Sequence, residues 1–265
     1  MATVNTHHPV VTLTTDFGEQ DNYVGVVKGV ILAQNSHARI VDVSHAIPPF
    51  NVAAARYTLE TAMMAFPPGT IHVAVVDPGV GTARDAVLVE AGEYFFVGPD
   101  NGVFSFLSKK DITQIITITR RKYLPKEISA TFHARDVFAQ VAAFLSLGVV
   151  PEEFGHAKKT LMPLPEAEMK RKNGDFIGTV IYIDHFGNLV TSVRRERLPG
   201  HDFLTFIDDH QLGPLRKTYA SVPVGKPVCY VNSFGFVEIA VREGSAAEHF
   251  GIGYESSAKI LIAPM

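Results

Sequence analysis

The sequence has almost no cysteine: Cys229 is the single one among 265 residues. One cysteine excludes an internal disulfide framework and any zinc site made of cysteines, and it fits a reducing compartment. Excess charge is also lacking, because 24 basic and 27 acidic residues leave a net charge of −3 without long runs of one sign. Without a basic stripe to contact phosphates, the sequence argues against a nucleic-acid-binding protein.

Long apolar runs and the motifs of common cofactors are absent as well. No stretch approaches the roughly 18 continuous apolar residues of a membrane helix, and the N-terminus, MATVNTHHP, lacks the charged-then-apolar order of a signal peptide. The 11 histidines form no HExxH, and their one close pair is His7–His8. Neither GxGxxG nor a P-loop occurs where a strand leads into a helix. We therefore expect a cytoplasmic protein without a metal ion or a phosphate-bearing nucleotide, while a nucleoside ligand stays open.

Strands alternate with helices in the first part of the chain. Apolar patterning predicts strands at residues 10–15, 39–45 and 70–76 and helices at 23–34 and 51–66, the second helix with Asn51 as its cap. Such alternation predicts a mostly parallel sheet covered by helices. Ligands of these sheets gather at the carboxyl ends of the strands, where Asp16 and Asp77 stand.

The later part of the chain changes texture. A hairpin at 86–91 and 94–98, a strand at 112–119 and a helix at 136–148 complete the predicted α/β domain. The periodicity is lost near residue 151, and short strands follow at 176–184, 188–193, 203–207, 226–232, 236–241 and 258–263, with no helix of comparable length between them. The prediction is therefore an N-terminal α/β domain at 1–160, a linker at 161–175 and a smaller, barrel-like β domain at 176–265.

Four motifs place an ionisable residue beside glycine or an aromatic ring at a predicted strand end: TTDFG, VVDPGVGTAR, TFHARD and IDHFGN. Such neighbours let a ligand approach the backbone closely. Each motif alone has an ordinary explanation, since a lone Asp after a strand commonly forms a turn and His133 could cap the next helix or pair with Asp136. HARD is also similar to the catalytic loop of protein kinases, but the asparagine expected shortly after it is missing, which excludes that interpretation.

Six motifs in register across nearly the whole chain resemble one family. They are TTDFG, DPGVGTAR, PDNG, TFHARD, IDHFGN and NSFG-x-x-EIA, and they are similar to the S-adenosyl-L-methionine (SAM) hydroxide adenosyltransferases, or adenosine-forming SAM hydrolases. These are relatives of the fluorinating and chlorinating enzymes that act on the same substrate. The resemblance implies an enzyme that splits SAM with water into adenosine and L-methionine. It also implies an α/β domain joined to a barrel-like β domain, no cofactor, and a homotrimer with active sites between subunits.

The resemblance further implies roles for single residues. Its catalytic set falls on Asp77, Arg84 and His133, and the halogenating relatives carry a tyrosine in place of Asp77 and a serine in place of Ala134, which favours hydrolysis here. The implied substrate contacts are Asp16 to the ribose hydroxyls, Phe50 and Phe132 as walls, Asp184 to the methionine ammonium, Phe186 and Asn188 beside the adenine, Ser233 to the methionine carboxylate, and backbone groups near Arg242 and Ala246 at the adenine edge. Phe234 and Val190 depart from the arginine and tryptophan of the fluorinating relatives.

The chemistry agrees with that catalytic set. A sulfonium leaves as a neutral thioether and needs no protonation, so the enzyme has only to orient water and accept a proton. An adjacent guanidinium such as Arg84 stabilises the carboxylate form of Asp77. Two other functions stay open, a SAM-dependent halogenase and a non-catalytic SAM or nucleoside sensor. The role of His133 also stays open, since it could orient Asp77, contact the water or shuttle the proton.

Overall fold

A computed structural model describes residues 10–165, 168–200, 203–254 and 258–264. The predictions for the N-terminus, including the His7–His8 pair and the missing signal peptide, lie outside the described residues. The chain divides into two compact units, Met1–Pro163 and Leu164–Met265. The expected fold class is confirmed: the first unit holds a helix-flanked sheet and the second holds a nearly closed, barrel-like sheet.

The first unit is built on a seven-stranded sheet. Its strands are β1 (Val10–Thr15), β2 (Arg39–Ser44), β3 (Ile71–Val75), β4 (Ala86–Ala91), β5 (Tyr94–Pro99), β6 (Ile112–Ile118) and β7 (Gly155–Ala157), in the order β2-β1-β3-β5-β4-β6-β7. Pairing is parallel from β2 to β5 and antiparallel from β5 to β7. The parallel half therefore contains the first three strands, which alternate with helices along the chain, and the antiparallel half begins with the predicted hairpin of β4 and β5.

Helices α1 (Tyr23–Gln34), α2 (Val52–Ala62) and α3 (Ala139–Ser146) complete this unit. Alternate strand residues such as Leu13 and Val73 join the apolar faces of α1 and α3 in one buried cluster, as the two-residue period of a strand requires. The predicted cap of α2 is confirmed, because Asn51 Oδ1 accepts a hydrogen bond from the Ala54 N–H at 2.9 Å.

The helix predicted at 136–148 differs from prediction at its start. Residues Ala134–Phe138 form a π-helical turn, and the α-helical part begins only at Ala139. A π-turn contains one residue more than the helical repeat, and such insertions frequently occur at functional sites. His133 immediately precedes this turn.

Backbone pairing gives structure to parts of the segment 151–175, where the sequence pattern predicted irregular chain. Pro151–Phe154 form a 3₁₀ turn, and β7 pairs with β6 at the sheet edge. A Cβ at Gly155 would collide with the carbonyl of Thr117, so this pairing requires glycine. A short edge strand such as β7 lacks the alternation of apolar and polar residues by which longer strands are recognised in a sequence.

The second unit is an antiparallel sheet. Its strands are β8 (Lys170–Lys172), β9 (Asp175–Ile183), β10 (Leu189–Arg194), β11 (Phe203–Ile207), β12 (His210–Pro214), β13 (Pro227–Val231), β14 (Phe236–Val241) and β15 (Lys259–Pro264). The order is β12-β11-β15-β9-β10-β14-β13, with β8 beside β9. A bridge between Arg216 and Tyr230 joins the two ends and nearly closes the sheet. A five-residue helix, α4 (Ala246–Phe250), was not predicted.

In the parts of the chain that the structure describes, no helix is both long and apolar enough to span a bilayer.

Candidate active site

Two carboxylates stand at neighbouring strand ends in the first unit. Strands β1 and β3 are parallel neighbours with Thr15 opposite Val75, so Asp16 and Asp77 emerge at the same sheet edge. Both residues line a cavity of about 590 Å³, together with Phe50, Phe132 and His133. Five of the predicted site residues therefore share one cavity.

The central feature of this cavity is a contact chain from Asp77 through Arg84 to His133. Arg84 Nε donates to both carboxylate oxygens of Asp77, at 3.0 and 3.1 Å, and Arg84 Nη2 donates a short bond to Asp77 Oδ2. Arg84 Nη2 also lies 2.7 Å from His133 Nδ1. The side chains of Asp77 and Arg84 are only 6% and 10% exposed, so their ion pair is shielded from water.

Three local contacts hold this chain in place. Asn101, from the PDNG motif, donates its side-chain N–H to the carbonyl of Val76 at 2.8 Å, immediately before Asp77. The Arg84 guanidinium carbon lies 5.3 Å from the centre of the Phe138 ring. Gly81 has a φ of +77° and lies so close to the Ala130 carbonyl that a Cβ would collide with it. The loop that carries Asp77 and Arg84 thus packs directly on the loop that precedes His133.

The pKa of His133 is lower than that of an ordinary histidine, so its imidazole is neutral over a wider range of pH. Partial burial is the main cause of its lowered pKa, and the nearby positive charge of Arg84 adds to it. The carboxylates of Asp77 and Asp136 oppose the shift but do not outweigh it. The ring therefore stays neutral at pH values where a free histidine begins to take up a proton.

Asp16 connects the cavity to the loop before α2. Its Oδ2 accepts the backbone N–H of Phe50 at 2.9 Å. Phe50 has a φ of +66°, a conformation unfavourable for a phenylalanine, and its side chain is exposed. Burial raises the pKa of Asp16, with a further contribution from the charge of Asp77. The Asp16 carboxylate thus holds a strained backbone position while facing the cavity.

An aromatic wall includes two residues that the sequence reasoning missed. Phe17 and Tyr23 both line the cavity, and their rings lie 6.1 and 5.3 Å from the ring of Phe132 in edge-on arrangements. The Arg135 guanidinium stacks over Phe132 at 5.2 Å. Phe17 directly follows Asp16 within TTDFG, so its position beside an acid at a strand end was the signal that could have identified it.

In the second unit, three predicted residues form one loop. Asp184 Oδ1 accepts the backbone N–H groups of Phe186 and Asn188, at 2.9 and 2.8 Å, and Asp184 Oδ2 accepts the side-chain amide of Asn188 at 2.8 Å. Asn188 is buried, whereas the Phe186 side chain is 73% exposed. The Asp184 carboxylate therefore stabilises the turn that contains it, while the Phe186 ring is exposed to solvent.

The remaining predicted residues lie on neighbouring turns of the same unit. Ser233 is exposed in the turn between β13 and β14, where Asn232 Oδ1 accepts the N–H groups of Phe234 and Phe236. Ala246 begins α4, and the N–H of Ala247 donates to the Gly187 carbonyl at 2.9 Å, which joins α4 to the Asp184 loop.

Arg242 is already engaged within the unit. Its N–H donates to the Lys226 carbonyl at 3.1 Å, its own carbonyl accepts from Gly225 at 2.8 Å, and its guanidinium donates to the Val222 carbonyl at 3.0 Å. Because these groups of Arg242 already have partners, a ligand nearby would have to bind polar groups of the adjacent residues.

Glu238, from the NSFG-x-x-EIA motif, is a further functional candidate that the sequence reasoning did not single out. This buried carboxylate accepts the Tyr230 hydroxyl and the Asn232 amide, the latter at 2.8 Å. Burial raises the pKa of Glu238, and the charge of Asp184 raises it further. Glu238 therefore braces the turn that carries Ser233.

Within residues 10–165, 168–200, 203–254 and 258–264, no group of three or more histidine, cysteine or acidic side chains is placed to hold a metal ion.

Family models match both units. Residues 11–155 match the SAM hydroxide adenosyltransferase N-terminal domain, and residues 178–259 match the C-terminal domain of the same family. The chain belongs to the SAM hydroxide adenosyltransferase family. The resemblance found in the six motifs is thereby confirmed.

Relatives with named activities match this chain over nearly its full length. A protein of Thermus thermophilus named (R)-S-adenosyl-L-methionine hydrolase is 39% identical over 91% of this chain and 95% of its own. One of the same name from Methanocaldococcus jannaschii is 34% identical over 95% of each chain. A fluorinase of Actinopolyspora mzabensis is 27% identical over 95% of this chain and 97% of its own.

Solved structures agree with the fold. The chain superimposes on a conserved protein of Thermotoga maritima with a TM-score of 0.84 and 33% identity, covering 96% of this chain and 99% of the other. A conserved protein of Thermus thermophilus gives a TM-score of 0.78 and 36% identity with the same coverage. Both solved structures thus share the fold of this chain over nearly its full length.

Proposed function

We propose that this protein hydrolyses SAM to adenosine and L-methionine by attack of water on the ribose C5′. The observation that carries the proposal is the Asp77–Arg84–His133 contact chain at the wall of a cavity that also contains Asp16. The relatives named (R)-S-adenosyl-L-methionine hydrolase support the same reaction.

The reaction balances with one proton acceptor. The water oxygen forms a bond to C5′ while the bond from C5′ to sulfur breaks, and its electron pair leaves on sulfur, which becomes the neutral thioether of methionine. The water then gives one proton to the carboxylate of Asp77. General-base assistance of this kind is typically worth about 10²–10⁴-fold. Because the sulfonium needs no protonation, neither a general acid nor a metal ion is required.

Asp77 keeps capacity for this task despite its bonds to Arg84. A carboxylate has about four lone-pair positions, and the three contacts of the Arg84 guanidinium occupy at most three of them. Asp77 lines the cavity, so a water bound there would be within reach of the carboxylate. Arg84 would fix the orientation of the Asp77 carboxylate, and the unoccupied lone-pair position of Asp77 would face the water.

The substrate contacts follow the same proposal. Asp16 would accept the ribose hydroxyls with its charge-assisted bonds, and Phe50 and Phe132 would flank the sulfonium, where cation–π attraction adds about 0.5–2 kcal/mol. The residues of the second unit that would bind the methionine and adenine parts are Asp184, Phe186, Asn188, Ser233, and the chain near Arg242 and Ala246. We propose that they act from a neighbouring subunit of a homotrimer located in the cytoplasm.

A halogenase is the second candidate, supported by the identity to fluorinases. Two residues disfavour it. Asp77 would repel a halide held at the attacking position, and Ala134, which is buried at the cavity, offers no hydroxyl donor to such an anion. A sensor without turnover is disfavoured by the contact chain itself, because binding alone gives no reason to direct a carboxylate at water.

Product analysis separates these functions. Incubation with SAM should give adenosine and methionine, and addition of chloride should give no 5′-chloro-5′-deoxyadenosine by chromatography. Asp77→Asn should lower turnover by about 10²–10⁴-fold while SAM binding by calorimetry persists. Asp111→Asn is the matched control, since Asp111 is exposed at the start of the β6 segment and outside the cavity. Near-normal turnover of Asp77→Asn would refute the proposed role.

A further inference from the structure

The contact between Arg84 and His133 fixes the position of a proton. Arg84 Nη2 lies 2.7 Å from His133 Nδ1. A guanidinium has only N–H donors and no acceptor, so Nδ1 must accept this bond through its lone pair. A neutral imidazole carries one protonated and one unprotonated nitrogen. The proton of the His133 ring therefore sits on Nε2.

The second nitrogen of His133 is available to a ligand. Among the described residues, none makes a hydrogen bond with Nε2, and the ring is partly exposed. His133 lines the main cavity and also a second one of about 350 Å³, whose wall includes Arg84, Thr117 and Arg121. The imidazole thus stands between two spaces that water can enter, with a free N–H.

The surrounding charges keep the ring neutral. The groups that act on His133 are Arg84 and Asp77 from the loop between β3 and β4 and Asp136 from its own π-turn, while Asp16 lines the same cavity from the end of β1. Burial and Arg84 lower the pKa of His133 against the pull of the carboxylates. A protonated ring would also turn Nδ1 into a donor facing the donor of Arg84, which would break the 2.7 Å contact.

We propose that His133 is a fixed hydrogen-bond donor to the oxygen of the attacking water, through Nε2–H, and neither the base nor a proton shuttle. Both nitrogens of the neutral ring are occupied, because the Nδ1 lone pair accepts the Arg84 N–H and Nε2 carries the ring proton. The imidazole therefore has no site to accept a further proton. A donor on one side of the water and the Asp77 acceptor on the other would aim a lone pair at C5′. This role for the water rests on the proposed function, whereas the tautomer does not.

The tautomer is measured without turnover. Nitrogen NMR of the full chain labelled at its 11 histidines, with His133 assigned from the signals lost in His133→Gln, distinguishes protonated from unprotonated ring nitrogens. We expect a protonated Nε2 and an unprotonated Nδ1 at neutral pH. In Arg84→Met the ring should lose this fixed tautomer. A protonated Nδ1 in the unchanged chain would overturn the assignment.

Two amide substitutions test the donor role. The side-chain amide of glutamine reaches the position of Nε2, and that of asparagine reaches the position of Nδ1. If His133 is a donor, His133→Gln should stay within about 10-fold of the unchanged chain, and His133→Asn and His133→Ala should lose about 10²-fold in kcat, because the water would no longer be held in line with C5′. If His133 is the base or the shuttle, glutamine cannot replace it and all three variants should fall equally.

The outcomes separate this proposal from the proposed function. Adenosine production by the unchanged chain with equal loss in all three variants would overturn the donor role alone. If the unchanged chain produced no adenosine, the hydrolase and the donor role would both fail, and the NMR measurement would still decide the tautomer.

Discussion

Replacing Gly81 by alanine tests whether the contact between the two site loops positions the catalytic groups. Gly81 has a φ of +77° and lies against the backbone carbonyl of Ala130. The Cβ of an alanine would collide with this carbonyl, so the chain before Phe132 and His133 would have to move. Gly69 is the matched control, because its φ is +81° but nothing lies within 4 Å of its hypothetical Cβ.

The two variants share one cost and differ in another. Left-handed backbone costs an alanine about 1–2 kcal/mol, so Gly69→Ala and Gly81→Ala should both lose about that much free energy of unfolding. Only Gly81→Ala also displaces the segment that carries His133. A shift of about 1 Å at a catalytic group lowers turnover by about 10²-fold. We therefore expect Gly81→Ala to be less stable than Gly69→Ala, because its Cβ must also displace backbone, and its folded form to have a kcat about 10²-fold lower.

The assay is adenosine formation from SAM, measured by chromatography, beside urea unfolding of the same preparations. Stability measured at equilibrium separates a folding defect from a misplaced site. If Gly81→Ala and Gly69→Ala turned over SAM at equal rates, the close approach of Gly81 to Ala130 would not control the position of His133, and the reasoning would be wrong.

Three further predictions concern binding, stability and pH. Asp16→Asn should raise KM for SAM by at least about 10-fold, since hydrogen bonds to a charged group contribute about 1.5–3 kcal/mol, and Asp111→Asn should leave KM unchanged. Asn51→Ala should lower the free energy of unfolding in urea by about 0.5–2 kcal/mol through loss of its cap bond, and an unchanged midpoint would contradict this. The pKa of His133 lies below the ordinary value of 6.5, so its neutral form and the associated stability should persist at pH 6.5 and be lost as pH falls through the folded pKa. A profile of kcat/KM against pH whose acid limb lies above 6.5 would contradict this.

The sequence pattern located the carboxylates because their positions follow from simple rules. Asp16 and Asp77 each follow an apolar strand, and strands separated by helices run parallel, which puts their carboxyl ends at one edge. Arg84 and His133 were assigned by resemblance, since no local rule tells that residues 49 positions apart make contact. The distance between them, and therefore the tautomer, required the structure.

Other features have no local sequence signal. Asn101 acts through a side-chain bond to the Val76 carbonyl, 25 residues earlier, and such a contact depends on how two loops meet. Tyr23 belongs to the apolar start of α1, where an aromatic residue looks like ordinary core. The strand β8 is short and entirely exposed, so alternating burial could not reveal it.

The π-turn Ala134–Phe138 has a consequence for the angular position of His133 about the helix axis. A regular α-helix turns by about 100° per residue, so rewinding this turn as α-helix with all of its residues retained would rotate everything before it by roughly that angle while α3 kept its packing. His133 would then swing away from Arg84. The additional residue in this turn thus sets the direction in which the imidazole faces.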